Sequence, residues 1–422
     1  MRKIYLTVIG LYLLFLNAFS QKSTDTSGNY KNRKLKLEET NLISGYYQQD
    51  GYHSAITGGN GTQYLTDVSN IVQLKFIRWD MYDKKHTVDF EGAVDHHTAA
   101  SSAYVSKTGA SNKGGTRIYP SITWKTENEE RKSIVGYGLS VSSEYNYHSL
   151  GANLSYAKTS QDGNREFNAK AQIFLDQVKM IQPSELIPQR SYSTIVTNTS
   201  ASGRGGGGGS TLLTFFVDDR DRIPSSARNT FMSSFSLSQV INKNAQFSLL
   251  ADGVAQTGYL GLPFHRVYWT DGSVHVEKLP SSRMKLPLGA RFNYFIGDKF
   301  IVRTFYRFYT DTWGLKAHTM SIELPYKITS FVSVSPMYRY YQQTAIKYFA
   351  PYAQHKSTDF YYTSNYDYSA FSSNYVGINF RIAPPKGVFG VKSFNMLEIR
   401  GGRYVQTTGL NANNITVNLR FK

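Results

Sequence analysis

The strongest constraint on this chain is a short-range alternation of apolar and polar residues that recurs along most of its length. Leu286, Leu288, Ala290, Phe292, Tyr294 and Ile296 share one face of an extended segment, with Lys285, Gly289, Arg291 and Asn293 on the other. Side chains alternate across a strand with a period of two, so such a segment offers one face to an apolar medium and the other to water. Val135, Tyr137, Leu139 and Val141 against Gly136, Gly138, Ser140, Ser142 and Glu144 repeat the pattern. So do Phe167, Ala169, Ala171, Ile173 and Leu175 against Glu166, Asn168, Lys170 and Gln172. With 32 Tyr and 25 Phe in 422 residues, the composition favours strands over helices.

Connection lengths decide between a soluble sandwich and a membrane barrel. Short turns fall at 83–85, 127–131, 161–164, 241–244, 297–299 and 326–330. Long loops at 49–66, 99–115, 179–229, 258–284 and 344–371 lie between them. Short periplasmic turns and long extracellular loops are the asymmetry of an outer-membrane barrel. The expected fold is therefore all-β, a single antiparallel transmembrane β-barrel of about 16 strands (roughly 14–18) with both termini on the periplasmic side.

The two ends of the chain fit export. Arg2 and Lys3, an apolar run at 4–19 and Ala18-Phe19-Ser20 read as a signal peptide at 1–20. A periplasmic arm is expected at 21–33 and the barrel at 34–422. No later stretch has the roughly 18 consecutive apolar residues of a membrane-spanning helix. Ile415, Val417, Leu419 and Phe421 alternate with Thr416, Asn418 and Arg420. They resemble the closing strand read by barrel assembly machinery, making that machinery and the outer-membrane bilayer expected partners. The formal charge is +17, but Lys and Arg are dispersed among the strands, which points away from nucleic acid. The chain has no cysteine, so thiolate metal sites and disulfides are excluded. Gly203-Arg204-Gly205 and the glycines after it compose a linker; no strand before or helix with Lys-Ser or Lys-Thr after it supports a phosphate loop. No cofactor is indicated.

Several local motifs are more specific than the alternation. Arg117-Ile118-Tyr119-Pro120-Ser121, Asn164-Arg165-Glu166-Phe167, Phe264-His265-Arg266-Val267-Tyr268 with Asp271-Gly272-Ser273, and Tyr361-Tyr362-Thr363-Ser364-Asn365-Tyr366-Asp367 span the mature chain. They resemble a domain-of-unknown-function family of exported, barrel-like proteins from Bacteroidota and related diderms. That resemblance implies no catalytic residue. It does imply envelope company that includes a small lipoprotein, a possible periplasmic partner, together with thioredoxin-like and flavin-transferring proteins.

Placing the polar face of each strand toward the lumen yields a charge map. The third strand contributes an acidic wall of Asp89, Glu91 and Asp95. Strands ten, eleven and thirteen contribute a basic wall of Lys285, Arg291, Arg303, Arg307 and Arg339, with Glu323 among them. In a sixteen-strand ring these walls face each other and would orient a dipolar or anionic solute. A polar lumen needs charges in any case and pairs them. His53, His96, His97 and His148 gather near the outer connections and, with Asp95, form the one candidate metal set, though without a short ligand motif. Asp95 and His97 could serve a barrel hydrolase with His as general base on a water molecule, or Ser101 or Ser102 could instead act as nucleophile. The aromatic loop at 348–371 suits either a binding platform or a plug packed on the wall.

The function that follows is a non-enzymatic outer-membrane barrel, a porin-like channel or surface-binding barrel for a small polar or anionic solute. The alternatives are a closed scaffold for envelope partners, linked to redox or metal chemistry, and the barrel hydrolase.

Overall fold

The computed structural model describes residues 34–98, 114–181, 183 and 224–422. The leader at 1–20, the arm at 21–33, Ser101, Ser102 and the glycine run near 203–209 lie outside the described residues. Eighteen extended segments form one sheet, and two of its strands are each broken in two, which makes sixteen strands. In chain order they are β1 Lys36–Asp50, β2 Leu65–Trp79, β3 Lys85–His97, β4 in the pieces Gly115–Ile118 and Ser121–Asn128, and β5 Ser133–Glu144. Next come β6 Tyr147–Thr159, β7 Arg165–Lys179, β8 Ser225–Asn242, β9 Ala245–Gly258, β10 Ser282–Ile296 and β11 Phe300–Asp311. The rest are β12 in the pieces Lys316–Glu323 and Tyr326–Lys327, β13 Val332–Gln343, β14 Phe371–Ile382, β15 Phe394–Gln406 and β16 Asn411–Phe421.

Every strand pairs antiparallel with its chain neighbours, and β16 returns to β1 in a register running from Thr40 opposite Phe421 to Asp50 opposite Asn411. Closure removes the unpaired edges that an open sheet of this size would expose. The breaks in β4 and β12 fall at Pro120 and Pro325, which have no N–H to give the ladder. Both prolines still accept through their carbonyls, from Val141 N and Ile301 N, each at 3.0 Å.

The alternation sorts side chains as expected. Leu286, Leu288, Phe292, Tyr294 and Ile296 on β10 and Val135, Tyr137, Leu139 and Val141 on β5 are exposed on the outside. An apolar belt of this extent suits lipid contact rather than water.

The connections depart from the expected asymmetry in detail. At the end carrying the termini, 243–244 and 297–299 are tight, but 383–393 is longer and contains the 3-10 turn Val388–Gly390. At the opposite end, 145–146, 312–315 and 407–410 are short, so long loops alternate there with tight hairpins. The turn expected at 326–330 begins later, because Tyr326 and Lys327 are still paired with β13.

Candidate functional site

Three of the long connections, 51–64, 259–281 and 344–370, fold onto one another. The first joins β1 to β2 and the second joins β9 to β10. Those hairpins are eight strands apart in a ring of sixteen, so any contact between them crosses the barrel mouth. Arg266 Nη1 donates to the Ile56 carbonyl at 3.1 Å. His53 stacks on Tyr366 of the third loop, with ring centroids 3.7 Å apart. Gly58, at φ +76°, lies so close to Tyr268 that a Cβ there would sit 2.7 Å from its ring, so only glycine fits both the turn and the approach. The loops therefore form a roof.

The roof is organised around buried charge. Glu277 accepts from Leu262 N at 2.6 Å and from the Thr363 hydroxyl at 2.5 Å. His265 Nδ1 lies 3.1 Å from the same carboxylate, as an electrostatic contact without the alignment of a hydrogen bond, and both side chains are excluded from solvent. A carboxylate buried this way is tolerable only because its lone pairs are matched. Where the roof meets the wall, Arg283 donates to Asp311 from Nη2 at 2.5 Å and Nε at 3.0 Å. Asp311 also accepts from the Tyr309 hydroxyl and from Trp313 N and Leu315 N. The Arg283 guanidinium lies 4.3 Å from the Trp313 ring, inside an apolar cluster of Trp313, Leu315, Ala317 and Ile346.

Under the roof is a luminal cavity of about 650 Å³, lined among others by Tyr47, Arg339, Asp367, Tyr375, Arg400 and Tyr404. Register places Arg339, Tyr375 and Tyr404 in one row across β13, β14 and β15. The phenols of Tyr47, Tyr341 and Tyr404 donate to glutamines two residues on, Gln49 at 2.9 Å, Gln343 at 2.6 Å and Gln406 at 3.1 Å. Gln343 passes its amide protons to the carbonyls of Asp367 and Ser369, tying wall to roof. Asp367 opens onto the cavity but is crowded by protein, and this burial holds its carboxyl above the usual range. Nearby His265 pulls it down and Glu277 pushes it further up. Arg400 reaches Glu398 at 3.4 Å, whereas Arg339 has no carboxylate partner among the described residues.

The expected walls lie on inward rows, and their charges are largely spoken for. Asp89 meets Lys125 at 2.8 Å, Glu91 accepts from Gln73, and Asp95 accepts from the Tyr119 hydroxyl. Arg303 pairs with Glu323 at 3.5 Å and Arg307 with Asp252 at 3.8 Å, while Arg291 lies against Phe305. Lys285 sits on β10 opposite Asp311 in the register.

The histidine set is not brought together. His96 and His97 are consecutive on a strand and so take opposite faces: His96 contacts Thr116 outside, and His97 reaches Glu144 at 3.3 Å inside. His148 contacts Ser143 on the exposed face, and His53 gives its ring to Tyr366 and Nδ1 to the Gly59 carbonyl. Among the described residues no group of three or more His, Asp or Glu could hold a metal ion. Asp95 and His97 both point inward but to separate partners, Tyr119 and Glu144. Of the two readings of the aromatic loop, the packed one describes Tyr348, Tyr366 and Tyr368, whose rings meet Trp313 and Phe349.

Sequence reasoning missed the tyrosines of the cavity, although a signal exists. Tyr-Tyr-Gln-Gln occurs at 46–49 and at 340–343, each time at a strand end before a roof loop, and Tyr404-Val405-Gln406 repeats its inward half. The buried Glu277 of the roof left no such trace.

A family model described as a protein of unknown function (DUF3570) matches residues 85–392. No curated protein matches the chain. Solved structures with a similar fold include a bacterial polysaccharide outer membrane secretin, at TM-score 0.43 and 9% identity over 91% of this chain and 98% of that one. An outer membrane protein of Vibrio cholerae, a loop-deletion mutant of OmpT, gives 0.42 and 8% over 92% and 99%. The siderophore receptor PirA from Pseudomonas aeruginosa gives 0.41 and 9% over 89% of this chain and 57% of its own length.

Proposed function

This chain belongs to the family described as a protein of unknown function (DUF3570), and from that premise we propose an outer-membrane barrel that admits and binds a small anionic solute beneath its roof. The observation that carries the reading is Arg339, a luminal guanidinium without a carboxylate partner that lines a roofed cavity. Arg339 is exposed to the lumen, so an anionic solute can reach its guanidinium and supply the counter-charge through charge-assisted hydrogen bonds. The apolar belt supports placement in the outer membrane, and β16, with Ile415 to Phe421 on its free edge before closure, suits engagement by barrel assembly machinery. A source in the Bacteroidota, a leader at 1–20 and a periplasmic lipoprotein partner belong to the same proposal. The reading assigns the chain no bond-making chemistry, and the opposed luminal walls bias the solute's orientation rather than hold it.

Planar-bilayer recording of the purified full chain tests it. We expect low, bursting conductance that favours anions, and an Arg339→Met barrel whose anion preference falls several-fold. Equal selectivity in both proteins, or none in either, refutes the proposal. A second reading, a closed scaffold for envelope proteins, draws on Phe360 and Tyr352, exposed on the roof at 66% and 40%. Crosslinking in intact envelopes tests that one, and a barrel that yields no reproducible partner ends it.

A further inference from the structure

We infer that the cavity takes a ring-bearing anion, a carboxylate whose ring lies on Tyr375 while its charge meets Arg339. This rests on the anionic-solute reading and narrows it. Tyr375 starts on β14, yet its hydroxyl donates to Asn414 on β16 at 3.2 Å, so the side chain lies across β15. Two glycines make that possible. A Cβ on Gly402 would stand 2.2 Å from the Tyr375 hydroxyl and 2.3 Å from Cζ, and one on Gly377 would stand 2.8 Å from Cε1. The phenol is thus laid along the wall over bare backbone, and it also lines the cavity.

A ring held flat in this way is a platform rather than a plug. An upright tyrosine would fill the space and needs no glycine beneath it. The Arg339 guanidinium lies 5.2 Å from the ring centroid, in the same cross-strand row. Phe371 and Leu410 line the cavity as well and add apolar surface to it. An aromatic face in contact with a guanidinium that has no carboxylate partner among the described residues matches a ligand with one ring and one anionic group. Aromatic acids and sugar acids share that chemistry.

The test is binding to the full chain in detergent, by calorimetry, of benzoate, glucuronate, acetate and neutral glucose. We expect benzoate or glucuronate to bind more tightly than acetate by about 2- to 10-fold, the usual worth of ring stacking. Tyr375→Leu should erase that difference and keep acetate binding. Tyr375→Phe, which keeps the ring, should retain it. Arg339→Met should weaken all three anions. Acetate matching both ring acids in the native chain overturns the inference and leaves the anionic-solute reading standing. Absence of binding by any of the anions overturns both. Benzoate preferred over glucuronate, or the reverse, identifies which ring chemistry the platform takes.

Discussion

His53 and Tyr366 stack nearly parallel, 7° between their planes and 3.7 Å between centroids, although they come from connections on different parts of the ring. The stack is among the contacts that hold the first loop against the rest of the roof, with the Arg266–Ile56 hydrogen bond and the approach of Gly58 to Tyr268. Removing it in His53→Ala should cost about 0.5–1.5 kcal/mol of roof closure. Single-channel recording should then show open bursts more frequent by roughly 2- to 10-fold, with unchanged burst amplitude. An unaltered burst frequency would mean that the first loop is not part of what closes the mouth.

The Glu277 carboxylate accepts from Thr363 and Leu262 and lies in electrostatic contact with buried His265. Glu277→Ala leaves those groups buried and unmatched, a loss of about 3–5 kcal/mol for breaking a buried pair from one side. Limited proteolysis should cut at 259–281 and 344–370 in the variant and spare the native chain. The barrel itself should keep its heat-modifiable migration in gels, since its ladder does not depend on the roof.

Burial holds the Asp367 carboxyl above the ordinary range, with Glu277 adding to the shift and His265 opposing it. The acid therefore stays neutral to a higher pH than a free aspartic acid. Below the raised value it does not repel an anion at Arg339; as pH rises through that value, the repulsion appears. Anion affinity should fall with rising pH, by roughly tenfold for one charge at cavity distances. The Phe371, Tyr47 and Tyr404 side chains also line this space. Asp367→Asn should bind benzoate at every pH as tightly as the native chain does at low pH, and a surviving slope would assign the effect elsewhere.

The outward rows of β10 and β5 give a direct test of lipid embedding. Leu288→Arg and Leu139→Arg should each destabilise the barrel in bilayers by about 2–4 kcal/mol if they lie near the midplane. Urea unfolding from vesicles measures it. Gln246→Arg, on an inward row, should cost much less, and equal losses at all three positions would contradict the assignment of faces.

Much of the wall was legible because each strand states its own face. The facing of Lys285 through Ile296 follows from period-two alternation, and the count of about sixteen from alternating segments and the turns between them. The pairing of the walls was not legible, since Arg307 finds Asp252 two strands away and Asp89 finds Lys125 on a neighbour. Those partners depend on stagger, which letters do not carry. The histidines misled for a related reason: nearness in loops said nothing of the sheet that separates His96 from His97. The roof was least visible, because Glu277 acquires its burial only when distant loops meet.

Joining His53 to Tyr366 has a consequence for assembly. The first strand must find the last before the β1–β2 connection can stand where the 344–370 loop reaches it. Contacts between residues so far apart in sequence are entropically the slowest to form. The roof is therefore a completion mark: a barrel whose seam has slipped by even a pair of residues keeps its strands yet lacks its lid, and proteases can tell the two apart.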